Sequence, residues 1–345
     1  MNSIRYIGIL LSGLFLLLAL WCFEASAKDQ KRLNSHRSRQ GSGQGWLQSL
    51  SDPNRWTEGS GLTQWRTIKC GGKDRTYLLY TPHGSKPSSP LVIACHGGGG
   101  NARRMDKLTG GISKVADREK FIIVYPEGLD KHWNDGRTVN LTETSDVEFI
   151  SSMIDELVSE GIVDPARVYS TGISNGGFFS LYLAKKIPHK IAAVASVAAT
   201  LPELYTKFES TEPMPVLYIL GTDDPLVPYN GGEVGGKVLR KKRGRVLSAG
   251  GAVAYWLTNN GIGDVRPRQE SLDTDNSDGI SILIKDYRSG DKKRDVLVYE
   301  ITGGGHTWPR GWKYLPEWLI GKTASDINAN EIIWKFFSEH SKGNS

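Results

Sequence analysis

Cysteine is scarce, with three residues in a chain of 345: Cys22, Cys70 and Cys95. That is too few for a disulfide-framework fold or a Cys-rich zinc module. The seven histidines show no tight ligand spacing such as H-E-x-x-H, so neither a metal nor an organic cofactor is called for. Glycine is plentiful, at 40 residues, yet it has no G-X-Y period, which excludes collagen. Internal repeats are absent. Charge of one sign is also lacking. The balance of 43 basic against 37 acidic residues gives +6, enough to favour anionic surfaces but not to call for nucleic acid.

The longest apolar run, Ile7 to Leu20, is short for a membrane span of ~20 residues. Arg5 precedes it, and Ala25-Ser26-Ala27 closes it as an A-x-A cleavage site, so residues 1–27 read as a secretory signal peptide. Trp21 stands where a lipid-modified Cys22 would need a small neighbour. The expectation is a secreted protein, extracellular or periplasmic, with no stable membrane anchor after cleavage. Lys28 to about Gly61 is polar, basic and rich in Gly and Ser, a composition that buries little and reads as a flexible tail. Residues 62–342 then form one large domain, since α/β folds often exceed 200 residues.

In that domain, short apolar runs alternate with amphipathic stretches. Arg75–Tyr80, Leu91–Cys95, Phe121–Tyr125, Arg167–Thr171, Ile191–Val197 and Val216–Leu220 read as strands. Runs this apolar suit strands buried on both faces of a parallel sheet. Arg103 to Arg118 is helix-like. Asp146 to Glu160 places Phe149, Ile150, Met153, Ile154 and Leu157 on one face. A helix follows Gly176, a hairpin spans Ile280–Tyr287 and Asp295–Ile301, and Ala329 to Phe337 is a last helix. The class is α/β, with a mainly parallel central sheet flanked by helices.

Gly172-Ile173-Ser174-Asn175-Gly176 fits G-x-S-x-G between a strand and a helix, the context in which a strained turn lifts a nucleophilic serine above the sheet. His96-Gly97-Gly98-Gly99-Gly100 follows another strand and matches a loop that lends a backbone N–H to an oxyanion hole; the Asn175 N–H is the second donor. A phosphate loop would end in G-K-[ST], whereas Asn101-Ala102-Arg103 follows here. Ser174 needs a base and a carboxylate in the chain order Ser, Asp or Glu, His. His340 lies at the frayed end of the last helix, so His306, in Gly303-Gly-Gly-His-Thr-Trp-Pro309, is the base. Asp223 and Asp224 compete as the acid, and Pro225, fixing the turn just past Asp224, favours the latter.

These blocks give the chain a specific resemblance. It resembles the polyhydroxybutyrate depolymerase-like (LpqC-type) esterases of the α/β-hydrolase superfamily, a group that includes bacterial feruloyl and acetylxylan esterases. The matching stretches are Arg75–Pro82, His96–Asn101, Tyr125–Gly128, Trp133–Arg137, Asp146–Phe149, Gly172–Gly177, Gly221–Gly232, His306–Pro309 and Asp326–Phe337, in one order through nearly all of 65–340. Leu220 departs from relatives that carry His there. The resemblance implies an α/β-hydrolase fold, the triad Ser174, Asp224 and His306, and an oxyanion hole from the Gly98 and Asn175 amides.

The substrate expected is an ester, polysaccharide-linked or polyester. Feruloyl or acetyl esters of plant polysaccharide come first, with polyhydroxybutyrate as the alternative. A non-catalytic secreted carbohydrate-binding protein and a peptidase are remote, the former because the triad is complete. Trp133 and Trp308 are candidate substrate-binding aromatics, whose flat faces suit sugar and cinnamoyl rings. The basic run Lys237, Arg240, Lys241, Lys242, Arg243 and Arg245 reads as a solvated loop or as a lip for acidic substrate. Cys70 and Cys95 are expected to be unpaired, on strands separated by two others.

Overall fold

The computed structural model describes residues 57–137, 146–207, 212–235, 243–263, 265–288, 290 and 292–343. The expected signal peptide (1–27), residues 28–56 and the part of the basic run at 237–242 lie outside the described residues.

Twelve strands are described: β1 (Leu62–Cys70), β2 (Lys73–Thr81), β3 (Ser89–Cys95), β4 (Ile122–Pro126), β5 (Val163–Ile173), β6 (Ala193–Val197), β7 (Val216–Gly221), β8 (Gly232–Glu233), β9 (Arg245–Val246), β10 (Arg268–Leu272), β11 (Ser281–Tyr287) and β12 (Val296–Thr302). Ten of them form one sheet in the order β1-β2-β4-β3-β5-β6-β7-β12-β11-β10. The six central strands, β4 to β12 in that order, run parallel. Antiparallel strands flank them on both sides.

Parallel strands need crossovers, and helices supply them. They are α1 (Ala102–Leu108), α2 (Ile112–Glu119), α3 (Asp146–Ser159), α4 (Asn175–Lys186), α5 (Ala249–Asn259), α6 (Glu317–Ile320) and α7 (Ala329–Ser338). The period of two along a strand sends alternate side chains to opposite faces. Leu91, Ile93 and Cys95 of β3 pack with Phe149, Met153 and Leu157 of α3 and Phe179 of α4. Val92 and Ala94 point the other way, into a cluster with Met105, Val115, Ile333 and Phe337. Both faces are therefore covered, which is why the central strands are apolar throughout. Burying each Leu, Ile or Phe contributes about 1.5–3 kcal/mol.

The helix expected over 103–118 is two helices. Gly110 (φ 73°) and Gly111 (φ 95°) break it in the left-handed region. A Cβ on Gly110 would lie 2.7 Å from the Arg310 carbonyl oxygen, so the break lets the chain beyond His306 pass close by. Ahead of β1, the amides of Glu58, Gly59, Ser60 and Gly61 donate to the side chains of Asp106, Ser113, Asp117 and Tyr80 at 2.6–2.7 Å. Cys70 and Cys95 are free and buried, with β2 and β4 between their strands. Among the described residues no helix is long and apolar enough to cross a membrane.

Candidate active site

The sheet order sets where chemistry can gather. β3, β5, β6, β7 and β12 are consecutive neighbours with their carboxyl ends on one edge, and in open α/β sheets that edge is where ligands bind.

At the end of β5 the chain turns sharply into α4. Ser174 sits at φ 56°, ψ −121°, a strained conformation for a non-glycine residue. Its amide donates to the Val197 carbonyl at 2.9 Å, and its carbonyl accepts from the Phe178 amide at 2.9 Å. The glycines on either side are required by packing. A Cβ on Gly172 would fall 2.5 Å from the Gly176 carbonyl carbon, and one on Gly176 2.2 Å from the Cys95 carbonyl oxygen. The elbow is thus pressed against the end of β3.

Beyond β3, His96 organises the glycine loop. The Gly128 amide donates to His96 Nε2 at 3.0 Å, so Nδ1 carries the proton and donates to the Gly97 carbonyl at 2.8 Å. Burial pulls the imidazole pKa down to about 4, keeping the ring neutral. The Gly99 amide is tied to the Lys131 carbonyl at 2.8 Å. Gly98 faces α4: a Cβ there would lie 3.7 Å from Asn175 Cβ and 3.2 Å from His132 Cδ2. The Gly98 and Asn175 amides have no acceptor among the described residues. Two free N–H groups on adjoining loops suit a developing oxyanion.

The Asn175 side chain is held on every polar atom. Its Oδ1 accepts from the Trp133 amide at 2.8 Å, and its Nδ2 donates to the Trp133 carbonyl at 3.1 Å and to Asp135 Oδ2 at 2.6 Å. Asp135 is fully buried, and Arg137 Nη2 donates to its Oδ2 at 2.6 Å. The Arg137 guanidinium also stacks on Phe178, 4.2 Å from the ring centroid, and its Nη1 donates to the Arg243 carbonyl at 2.8 Å. The sequence blocks contained Asp135 and Arg137, but no pattern singled out their part in holding Asn175.

On the far side, β7 delivers Asp224 and β12 delivers His306. Asp224 Oδ1 accepts from the amides of Leu226 and Val227, each at 2.8 Å, while His306 Nδ1 lies 2.7 Å from Asp224 Oδ2. Both residues are buried. Asp223 is turned elsewhere, its Oδ1 accepting from Thr222 Oγ1 at 3.0 Å. Tyr314 donates its hydroxyl to the His306 carbonyl at 2.9 Å, and burial, reinforced by Asp224, raises the Tyr314 pKa and keeps it protonated. The structure therefore joins Asp224 to His306 and sets Asn175 beside Gly98. No hydrogen bond links Ser174 Oγ to His306; Ser174 stands partly exposed at the same edge.

Trp133 and Trp308, expected to offer flat faces to substrate, are buried instead. Trp133 Nε1 donates to the His96 carbonyl at 2.9 Å and its ring stacks on Phe179 at 4.8 Å. Trp308 Nε1 donates to Asn330 Oδ1 at 3.0 Å. Each large apolar ring is drawn inward where its single N–H finds an acceptor, leaving no face for a ligand. From the basic run, Arg243 contributes the carbonyl that meets Arg137, and Arg245 pairs with Glu203 at 3.1 Å. Among the described residues no group of three or more His, Cys, Asp or Glu side chains is arranged to hold a metal.

Comparison with known proteins follows the same lines. Residues 80–248 match the Phospholipase/Carboxylesterase family. The chain is 31% identical over 281 residues to NocK, classed among esterases, from Nocardia uniformis subsp. tsuyamanensis, across 79% of this chain and 81% of NocK. It is 28% identical over 243 residues to feruloyl esterase B of Piromyces equi, across 68% of this chain but 43% of that longer protein. Among solved structures, an acetyl xylan esterase from Aspergillus awamori shares the fold, with a TM-score of 0.52 at 13% identity over 80% of this chain and 99% of its own.

Proposed function

Because the chain belongs to the polyhydroxybutyrate depolymerase-like esterases of the α/β-hydrolase superfamily, and is a carboxylic ester hydrolase, we propose that it is a secreted serine esterase removing feruloyl or acetyl groups from plant polysaccharide. Residues 1–27 would be its signal peptide and 62–342 its catalytic domain. The observation that carries the mechanism is the Asp224–His306 pair: a buried carboxylate with one oxygen held by two amides and the other on His306 Nδ1.

In this reading the Asp224 contact keeps the proton on Nδ1 and leaves Nε2 as the base. His306 Nε2 takes the hydroxyl proton of Ser174 as Oγ attacks the ester carbonyl carbon. Negative charge gathers on the carbonyl oxygen, where the Gly98 and Asn175 amides receive it. The C–O bond to the alcohol breaks as the imidazolium returns its proton to the leaving oxygen. Water, deprotonated by the same nitrogen, then attacks the acyl carbon, the bond to Ser174 Oγ breaks as the imidazolium returns its proton to that oxygen, and the acid departs. Hydrogen bonds between catalytic groups are often long in free enzymes and tighten in the complex, which fits the open Ser174.

The test is a substrate panel of methyl ferulate, acetylated xylan, short p-nitrophenyl esters, polyhydroxybutyrate film and triolein, with Ser174→Ala as control. Cleavage of feruloyl or acetyl esters by the wild type, lost in the variant, supports the reading. Efficient erosion of the polyester film would transfer the assignment to a depolymerase, and strong activity on triolein alone would overturn it.

A further inference from the structure

The proposed mechanism leaves one polar atom beside the oxyanion position unused. His132 is partly exposed. Its Nδ1 lies 2.9 Å from the Asp130 carbonyl oxygen, so Nδ1 carries the proton and donates. The same contact fixes which way the ring is turned, since a ring carbon in that place would forfeit the bond. Nε2 of the neutral imidazole is left with a bare lone pair. It has no hydrogen-bond partner among the described residues.

The Cδ2–Nε2 edge of the ring faces the glycine loop. A Cβ on Gly98 would lie 3.3 Å from His132 Nε2 and 3.7 Å from Asn175 Cβ. Nε2 is therefore within about 5 Å of Gly98 Cα, one C–C bond further on. Glycine at 98 keeps that wedge open between the imidazole and Asn175. The His132 backbone is clamped on both sides. Lys131, before it, accepts the Gly99 amide on its carbonyl at 2.8 Å, and Trp133, after it, donates its amide to Asn175 Oδ1 at 2.8 Å. Asp130 and Lys131 reach this path in successive left-handed conformations, at φ 49° and 62°. Residues other than glycine hold such conformations where the surrounding structure compels them. The imidazole is thus carried by the two loops that present Gly98 and Asn175.

We propose that His132 Nε2 reads the alcohol half of the substrate, accepting a hydrogen bond from a free hydroxyl on the carbon next to the esterified one. The preferred substrates are then vicinal diols acylated on one oxygen. A lone pair repels the charge that gathers on the carbonyl oxygen, so Nε2 of the neutral ring is no third oxyanion donor; a hydroxyl proton is what it can hold. An acetyl group has no hydroxyl, and that of a feruloyl group lies at the far end of its ring. A sugar acylated at one ring position offers a hydroxyl on the next carbon. An ester of a simple alcohol would cover Nε2 and leave it unpaired, which is costly. This rests on the reading of the protein as an esterase of polysaccharide-linked acyl groups, and it adds the hydroxyl pattern around the bond that is cut.

The experiment compares kcat/KM for 2-hydroxyethyl acetate and 2-methoxyethyl acetate. Both form the same acetyl-enzyme, so a difference reports the alcohol. The wild type should favour the hydroxyl ester about fivefold, the scale of one neutral hydrogen bond. In His132→Ala and His132→Leu the ratio should approach one, while His132→Gln, whose side-chain oxygen still accepts, should keep part of it. A ratio taken on one preparation is unaffected by any fraction that fails to fold. No preference in the wild type, a preference that survives in the apolar variants, or loss of all turnover in both of them would each overturn the assignment. Ethyl 3-hydroxybutyrate and ethyl 3-methoxybutyrate probe the acyl side; His132-dependent discrimination confined to that pair would overturn placement on the alcohol. Failure to deacetylate xylan with the ratio intact would remove the polysaccharide reading and leave His132 in its role.

Discussion

Asn175 Nδ2 and Asp135 Oδ2 meet at 2.6 Å inside the protein, so the residue whose amide is proposed to receive the oxyanion is fixed through its side chain by a buried carboxylate. Asn175→Ala removes that tie and both contacts to the Trp133 backbone, while Asp135 keeps Arg137. The amide then loses its orientation but not its existence. We expect kcat to fall about tenfold or more, short of the ~10²–10³ for outright loss of a donor, with KM nearly unchanged. Steady-state kinetics on p-nitrophenyl acetate tests this; a rise in KM at constant kcat would contradict it.

The two adjacent carboxylates should behave very differently. In Asp224→Asn the amide NH2 faces His306 Nδ1 and forces the proton onto Nε2, so the base is lost; turnover should drop by roughly 10⁴. Asp223→Asn touches only a surface contact to Thr222 and should stay within about twofold of wild type, since surface changes of that kind are small. Comparable losses in the two variants would show that Asp224 is not the orienting acid.

Stability should depend on pH through His96. The unfolded chain takes up a proton near 6.5, whereas the buried ring resists until about pH 4. Between those values the unfolded state binds more protons. The contribution is therefore complete above pH 6.5 and lost as pH falls toward 4, by about 3 kcal/mol in all. Denaturant titrations at pH 7 and pH 4.5 should show a loss that shrinks in His96→Asn. An equal loss in that variant would place the acid sensitivity elsewhere.

Much of this was legible in the sequence, and the exceptions share a cause. The apolar runs of β3, β4, β6 and β7 announced themselves because both faces of a parallel strand are buried. The elbow and the glycine loop were visible because close backbone approach admits no Cβ at Gly172 or Gly176. By contrast, α5 opens Ala249-Gly250-Gly251, which carries little helix propensity; the cap, in which Ser248 Oγ accepts from the Gly251 amide at 3.1 Å, replaces it. The break at Gly110 was invisible because its reason, the Arg310 carbonyl, arrives two hundred positions later. Trp133 and Trp308 misled for a similar reason. A motif shows that an aromatic is near the edge, and only packing shows which way it faces.

The cysteines give a further check. Thiol titration of the denatured, unreduced protein produced from Lys28 onward should find two groups. In the native protein Cys95 should react very slowly, because burial pushes its thiol up to about 12 and leaves almost no thiolate at neutral pH. Zero free thiols after denaturation would mean a disulfide absent from this fold.

Asp224 and His306 are 82 positions apart in the chain, yet their contact depends on β12 lying beside β7. β12 is the last strand described, and α5, β10 and β11 must be made before it can dock. The serine, by contrast, is complete once β5 and α4 exist. A nascent or clipped chain ending before residue 296 would thus display Ser174, the proposed nucleophile, without His306, the proposed base. Long-range parallel pairing of this kind is slow to form, so on the proposed mechanism competence to cleave esters arrives only when β12 docks beside β7.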